Sequence, residues 1–556
     1  MDTAADGPIR VPPRHEGSRV VLNGTAFTVG ELIALADGVA VPAVAPEARE
    51  RAVRSWRAAA RLAAAGRLYG RGTGVGAQRS VTVDEGDETS HGLRVLRSHA
   101  GGAGALLPAR QVRAMLAVRA NQLLAGGSGI QPALVDALAE ALRLGVHPAV
   151  NEYGGVGTGD LTALAQTGLT LIGERPWVGE GPTQPSWTDS RSGGATTELP
   201  WRGAQSGGAA EELHRQGQQS GDTAAELSRQ GGQPGVPGSA SGVLPAPVTL
   251  HPGDALALLS SNALALAQAA LAYHDLDVLL RATHAVAALS LAAVSGSPEA
   301  YAAPVHALRS YPGAARAAAE VRRLLGWAQR PPGPGRRIQD PFGFRAFPQA
   351  HGCALDAAER LREVVEVEVN CPSENPLVAL DGTTAYHHGG FFAAPLGLAL
   401  DAANLALLQT AQLSAARLTA LGDPGLTGLS AFLAAGPASS SGTMILEYTA
   451  NSALAELRSC TAPASAGHAV LSRGLEEAAS FAGQAARQTQ RATDAYATVL
   501  ACELVAAVRA LRMHPVPPPV AAFAAATAAL PTGTDDRPLT GDVTAATELL
   551  STLAEL

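Results

Sequence analysis

The residues best suited to chemistry lie in the run GGVGTGDLTALAQ, residues 154–166. Taken alone, Gly157-Thr158-Gly159 reads as a turn. Its glycines accept positive φ angles, and Asp160 stands where it would cap the apolar helix that follows. Other groupings are weaker. In GRGTGVG, residues 70–76, the glycine spacing is wrong for a phosphate loop, and a helical pattern rather than a strand precedes it. The 14 histidines contain no HExxH or comparable ligand spacing, so His387 and His388 read as loop and no metal is expected. All 41 basic residues are arginine. A chain without lysine has no Schiff-base partner for pyridoxal phosphate and no lysine-bearing phosphate loop.

The elements that must position these residues are helical. Only 4% of the chain is aromatic, and Ala and Leu dominate, which suits close-packed helices with small aliphatic cores. Helical patterns cover much of 20–68 and 108–146, resume at 252–330, and are longest at 396–421, 442–458 and 474–511. A helix as long as the last crosses a whole bundle and packs on neighbours or copies of itself, so an oligomer is expected. The apolar runs 256–273 and 396–413 carry Asn, Gln, Asp or paired Ser, and read as buried helices rather than membrane spans. Between about 181 and 245 the composition turns to Gly, Ser, Gln, Thr and Pro. Here a unit recurs every 14 residues, starting at Glu198, Glu212 and Glu226, which predicts a tandemly duplicated, mobile surface loop. The expected parts are therefore 1–180, carrying the glycine run, the insertion 181–245, and a central bundle with C-terminal helices over 246–556.

A net charge of −8 without a dense basic stripe argues against nucleic acid as a partner. Cys353, Cys371, Cys460 and Cys502 form neither a CxxC pair nor a disulfide framework, and the first 20 residues lack the apolar core of a secretion signal. A reduced, cytoplasmic setting is the expectation.

Eight stretches occur in one order: LYGRGTGVG (68–76), RSHAGG (97–102), RANQLLAGGSG (119–129), GVHPAVNEYGGVGTGDLTALA (145–165), IQDPFGFRAFPQ (338–349), EVNCPSENPL (368–377), HGGFF (388–392) and DDRPLTGD (535–542). Together they resemble the aromatic amino acid ammonia-lyase family, which includes histidine, phenylalanine and tyrosine ammonia-lyases and related aminomutases. The resemblance implies a mainly α, histidine ammonia-lyase-like fold, a homotetramer whose pockets draw on three subunits, and a small amino acid or related carboxylate as ligand. It also implies a prosthetic group made from the chain itself. In the family an Ala-Ser-Gly tripeptide cyclises with loss of two waters to a methylidene-imidazolone, the electron sink needed to expel an amine. The matching positions here are Gly157, Thr158 and Gly159. Tyr69 matches the loop tyrosine that acts as acid or base at the β carbon, and Arg345 the arginine that holds the substrate carboxylate, a role suited to a two-pronged donor. His99 falls beside the expected substrate ring, and Gln339, Asn370 and Phe392 at or near the pocket.

The chain also departs from the family pattern. Gly157 for Ala leaves the participating carbonyl in place. Thr158 for Ser would leave a methyl on the exocyclic carbon and is stiffer in a tight turn. Ser260, Ser261 and Asn262 replace an Asn-Gly-Thr motif, Phe342 stands for a second catalytic tyrosine, and His468 and Ala469 stand where the family has a Gln-Glu or Gln-Asp pair. Three readings follow: a lyase or aminomutase with a methyl-substituted group, an enzyme of specialised metabolism on the same scaffold using Tyr69 and Arg345 without that group, or a binding protein that has lost catalysis.

Overall fold

The structure, a computed structural model, describes residues 18–66, 68–179, 244–331, 337–516 and 518–556. The 14-residue repeats and most of the PPGPGRR loop lie outside these residues. The helices that matter for the site are α1 (Glu88–His99), α2 (Ala109–Leu124), α3 (Leu161–Leu171), α4 (Asp254–Leu259), α5 (Ala263–Ala293), α6 (Phe347–Val369), α7 (Ala394–Leu421), α8 (Met444–Ser459), α9 (Ala482–Met513) and α10 (Thr540–Ala554).

Three helices of 28 to 32 residues, α5, α7 and α9, form the centre of the bundle. Helix α9 lies against both α5 and α7, α6 packs on α7 and α5, and α2 reaches α5 from the N-terminal side. Alanine makes this possible, since side chains of one methyl let long helices approach closely over many turns. Helix α5 is apolar nearly all round and buried over most of its length, as a central helix must be. By length and composition the segment Asp254–Ala293 would also cross a membrane, but 94% of its most apolar window is buried inside the protein. It is a core element, as the polar residues within it led one to expect.

Strands are minor. Among the described residues there are four two-stranded ribbons, and one matters here: Ala103–Leu106 pairs antiparallel with Asn151–Tyr153, which leads directly into the glycine run. Helix α9 begins at Ala482, eight residues later than the periodicity from 474 suggested. Phe481 is left-handed (φ 49°), and its N–H donates to Val156 O at 2.9 Å, so the chain turns before the helix starts.

Two ion pairs without solvent contact fix the core. Arg417 donates to both oxygens of Glu503, at 2.6 and 2.8 Å, with both side chains fully buried. Ser290 and Ser414 complete the carboxylate, and Arg417 Nη1 also donates to Gly343 O at 3.2 Å, holding the turn that carries Phe342 and Arg345. Removing one partner of such a pair strands a charge in a low-dielectric interior. Arg417→Met should cost about 3–5 kcal/mol, and adding Glu503→Leu should return much of it, as read by denaturant unfolding of both variants.

Candidate active site

Helix α4 ends at Leu259 because its last carbonyls are taken by a side chain. Arg119, fully buried on α2, donates to Leu258 O at 3.0 Å and to Ala257 O, while Nη1 reaches Glu374 Oε1 at 2.8 Å. One guanidinium thus pins the break before α5 to the loop after α6. Ser260 Oγ accepts the Asn375 N–H at 3.0 Å, Ser373 Oγ donates to Ser260 O at 3.1 Å, and Ser261 Oγ donates to Gln122 at 2.6 Å. Burial raises Glu374 and lowers Arg119, each opposed by its partner's charge.

The Gly-Thr-Gly turn is laced to this break. Gly157 and Gly159 have φ angles of 86° and 103°, a geometry that glycine tolerates and side chains resist. Gly159 N–H donates to Asn262 Oδ1 at 3.2 Å, and Asp160 N–H donates to Ser261 O at 2.6 Å. Asp160 does not cap its own helix α3 with its side chain. Its buried carboxylate instead accepts the Ala265 N–H at 2.8 Å, capping α5 from across the turn. On the other side, Ser480 Oγ donates to Gly157 O at 3.0 Å. A Cβ added at Gly157 would lie 2.0 Å from Ser480 Oγ and 2.9 Å from Phe481 N. Gly157 is therefore not a neutral replacement for alanine, as its carbonyl-only role suggested, because the space for the methyl is filled by Ser480.

Thr158, 8% exposed, forms part of a pocket wall. The same pocket is lined by Tyr69, His99 and Ser260, so four residues singled out from the sequence converge. The tyrosine sits on the loop after a long helix, and its hydroxyl oxygen accepts Gly76 N–H at 2.7 Å. Burial pushes its pKa up, the Gly76 N–H opposes that, and Glu476 pushes it further up. His99 ends α1, with Nδ1 2.8 Å from Val95 O. A carbonyl only accepts, so the contact assigns Nδ1 as the donor, the tautomer in which Nε2 is the acceptor.

Several expected positions lie elsewhere. Asn370 is structural: it accepts Phe27 N–H at 2.8 Å, donates to Phe27 O at 2.7 Å, and receives a bond from Asn121. Phe391 rather than Phe392 lines the pocket, held by Asn262, which donates to its carbonyl. His468 is exposed, away from the pocket, and the acidic residue that lines it is Glu476. The chain reaches it through a turn at Ser472–Gly474. Gln339, Phe342 and Arg345 are exposed and do not line this pocket, with the Arg345 guanidinium 4.9 Å from the Phe342 ring centroid. Asn375 and Ser472 join the pocket unpredicted, although Asn375 lies inside the singled-out EVNCPSENPL stretch. Among the described residues no group of His, Cys, Asp or Glu is placed to hold a metal.

The turn fits a group made from its own backbone: two glycines at positive φ, hydrogen bonds on the 157 carbonyl and the 159 N–H, and Thr158 facing a pocket.

Comparison with known proteins points the same way. The sequence profile described as aromatic amino acid lyase matches residues 27–194 and 241–531. A histidine ammonia-lyase from Anaeromyxobacter sp. (strain K) is 33% identical over 541 residues, covering 96% of this chain and 98% of the relative. One from Geobacillus thermodenitrificans is 31% identical over 497 residues, 88% of each. Among solved structures, the ergothionase of Treponema denticola superposes with a TM-score of 0.79 at 23% identity, over 96% of this chain and 99% of that one. Tyrosine aminomutase from Streptomyces globisporus gives 0.79 at 24%, over 96% and 97%. At these identities the two structures show the shared fold.

Burial raises the Asp160 carboxyl from 3.8 to about 6, against the pull of the Ala265 and Leu264 N–H groups and Arg487. The folded chain then holds this proton more tightly than the unfolded chain, so the stability it contributes is complete below about pH 4 and is lost as pH rises to about 6. Asp160→Asn has no charge to bury. Relative to the parent it should gain about 3 kcal/mol between pH 4 and pH 7, read as the difference in Tm across that range.

Proposed function

The chain belongs to the aromatic amino acid lyase family of carbon–nitrogen lyases, and we propose that it is an ammonia-lyase or aminomutase acting on an aromatic or imidazole L-amino acid. The observation that carries this reading is the meeting of Tyr69, His99, Thr158 and Glu476 around one pocket. An imidazolone formed from Gly157-Thr158-Gly159 would supply the electron sink that lets an amine leave. The remaining roles fall to side chains.

Glu476, half-buried, offers a carboxylate to the substrate ammonium. Tyr69 holds its hydroxyl oxygen on Gly76 N–H and keeps its proton at neutral pH, so it gives or takes a proton at the β carbon only as its environment changes on binding. His99, with Nε2 as acceptor, favours a substrate ring that brings a donor, an imidazole N–H or a phenol O–H, over a plain phenyl ring. Arg345 holds the substrate carboxylate from a second copy, because within one chain it lies on an exposed face. Exposed Leu398 and Leu405 on α7, with Ile445 and Tyr448 on α8, provide apolar surface for such an assembly, a cytoplasmic homotetramer in this reading.

The direct test is ammonia release and appearance of the conjugated acid, with L-histidine, L-tyrosine and L-phenylalanine each offered to the purified protein. Histidine or tyrosine should react in preference to phenylalanine. His99→Leu should erase most of that preference, a loss of about 10- to 100-fold in kcat/KM for the donor-bearing substrate. If none of the three releases ammonia or isomerises, the proposal fails for these substrates, and the same scaffold without the prosthetic group becomes the better reading.

A second expectation concerns pH. Glu476 raises the Tyr69 pKa, so a rate that needs the phenolate climbs with pH in the alkaline range. Glu476→Gln removes that charge and should move the alkaline limb of kcat/KM to lower pH. The position of the limb is the readout, since its height also reflects weaker ammonium binding.

A further inference from the structure

The bonds around the Gly-Thr-Gly turn are not distributed at random. Ring closure within it would join Gly159 N to Gly157 C, and both of those groups are engaged by side chains that the pocket roles above leave unused. Ser480 Oγ–H is 3.0 Å from Gly157 O, the oxygen that would take up negative charge as its carbon is attacked. Asn262 Oδ1 is 3.2 Å from Gly159 N and accepts its N–H, drawing electron density toward the nitrogen that would attack. Each contact is buried and geometrically supported. Ser480 is 3% exposed and Asn262 4% exposed.

Ser480 is held by an unusual backbone. Phe481, a bulky residue in the left-handed region at φ 49°, donates its N–H to Val156 O, so the 480–481 turn and the strand of chain entering the glycine run are tied together. A conformation of this kind carries strain and persists where surrounding contacts over-determine it. Its consequence is to press the Ser480 hydroxyl into the space an alanine methyl at 157 would need.

We propose that Ser480 and Asn262 are the residues that drive closure of the Gly157-Thr158-Gly159 ring in this chain, Ser480 as donor on the attacked carbonyl and Asn262 as acceptor on the attacking N–H. The inference rests on the reading that the ring forms. The bond made joins Gly159 N to Gly157 C. The Gly157 oxygen leaves as water with the hydrogens of the Gly159 and Thr158 nitrogens, leaving a C=N bond to Thr158 N. A second water takes the Thr158 hydroxyl and its Cα hydrogen, leaving an exocyclic double bond that bears the threonine methyl. No oxidant or reductant is required. Glycine at 157 then has a positive reason: it makes room for the donor that activates its own carbonyl, a function fixed backbone donors serve in other acyl chemistry.

The test is intact mass and peptide mapping across 154–166 of the full-length protein, sampled at intervals after synthesis. Wild type should lose two waters, localised to Gly157-Thr158-Gly159. Ser480→Ala should slow the loss by about a hundredfold while its Tm stays near that of wild type. Ser480→Cys, which keeps the shape with a weaker donor, should fall between, and Gly157→Ala, which displaces the hydroxyl, should be slowed like Ser480→Ala. Asn262→Asp, which keeps an acceptor, should retain the modification where Asn262→Leu loses it. If Ser480→Ala and Ser480→Cys both cyclise at the wild-type rate, the inference about Ser480 is overturned and the proposed function stands. A wild-type peptide of unmodified mass overturns both.

Discussion

The buried carboxylate of Asp160 is the point on which the site depends. It follows the glycine turn in sequence, yet its side chain accepts the N–H of Ala265, near the start of the 31-residue helix α5. One hydrogen bond therefore ties the glycine turn to the first turn of a long central helix. Asp160 is buried, so this tie is made inside the protein, and that burial is what raises its pKa. Because α5 lies against α9 and α6, the turn inherits the rigidity of the bundle, which is what a backbone segment needs if its own atoms are to react.

Arginine carries out the long-range work around that point. Arg119 takes the last carbonyls of α4 and Glu374 together, so the Ser260–Asn262 break and the Ser373–Asn375 loop are set by one planar group. Arg417 does the same for α7, α9 and the turn that carries Phe342 and Arg345. Five donors in a fixed fork can satisfy a carboxylate and a carbonyl at once, which a lysine ammonium does less well. A chain that holds no lysine has thus placed one buried cation behind the pocket wall and the other among the central helices, each bonded to several partners at once.

Much of this was legible in the sequence, for identifiable reasons. Tyr69, His99 and Thr158 sit in short stretches whose neighbours fix the register, and Ser260, noted as part of a replaced motif, meets them at the pocket. The central helices were found because Ala and Leu repeat with helical spacing over many turns. Glu476 was missed because periodicity assigned 474–481 to a helix, whereas the helix starts at Ala482 and a turn at Ser472–Gly474 comes before it. Asn370 is engaged by Phe27 and Asn121, and Asn375, five residues on in the same stretch, is the one that lines the pocket. Arg345 and Phe342 are exposed and do not line the pocket of one chain, and no pattern in the sequence tells an exposed residue from one at the pocket. Asn262 was noted only as part of a lost motif, and its contact with Gly159 required the fold.

The replacements in the turn make more sense together than apart. Threonine at 158 adds a methyl at the reacting carbon and stiffens the side chain, both of which work against ring formation. In the ring closure proposed above, glycine at 157 and Ser480 would act in the opposite direction: one removes a side chain from the turn, and the other fills the space with a donor aimed at the carbonyl. Phe481, left-handed and bonded to Val156, holds that donor in place. A turn that was drifting without selection would be free to lose any one of these features. Their coexistence, with the donor on one reacting group and the Asn262 acceptor on the other, is the arrangement expected if a more hindered residue at 158 is offset by closer control of the two backbone atoms that must meet.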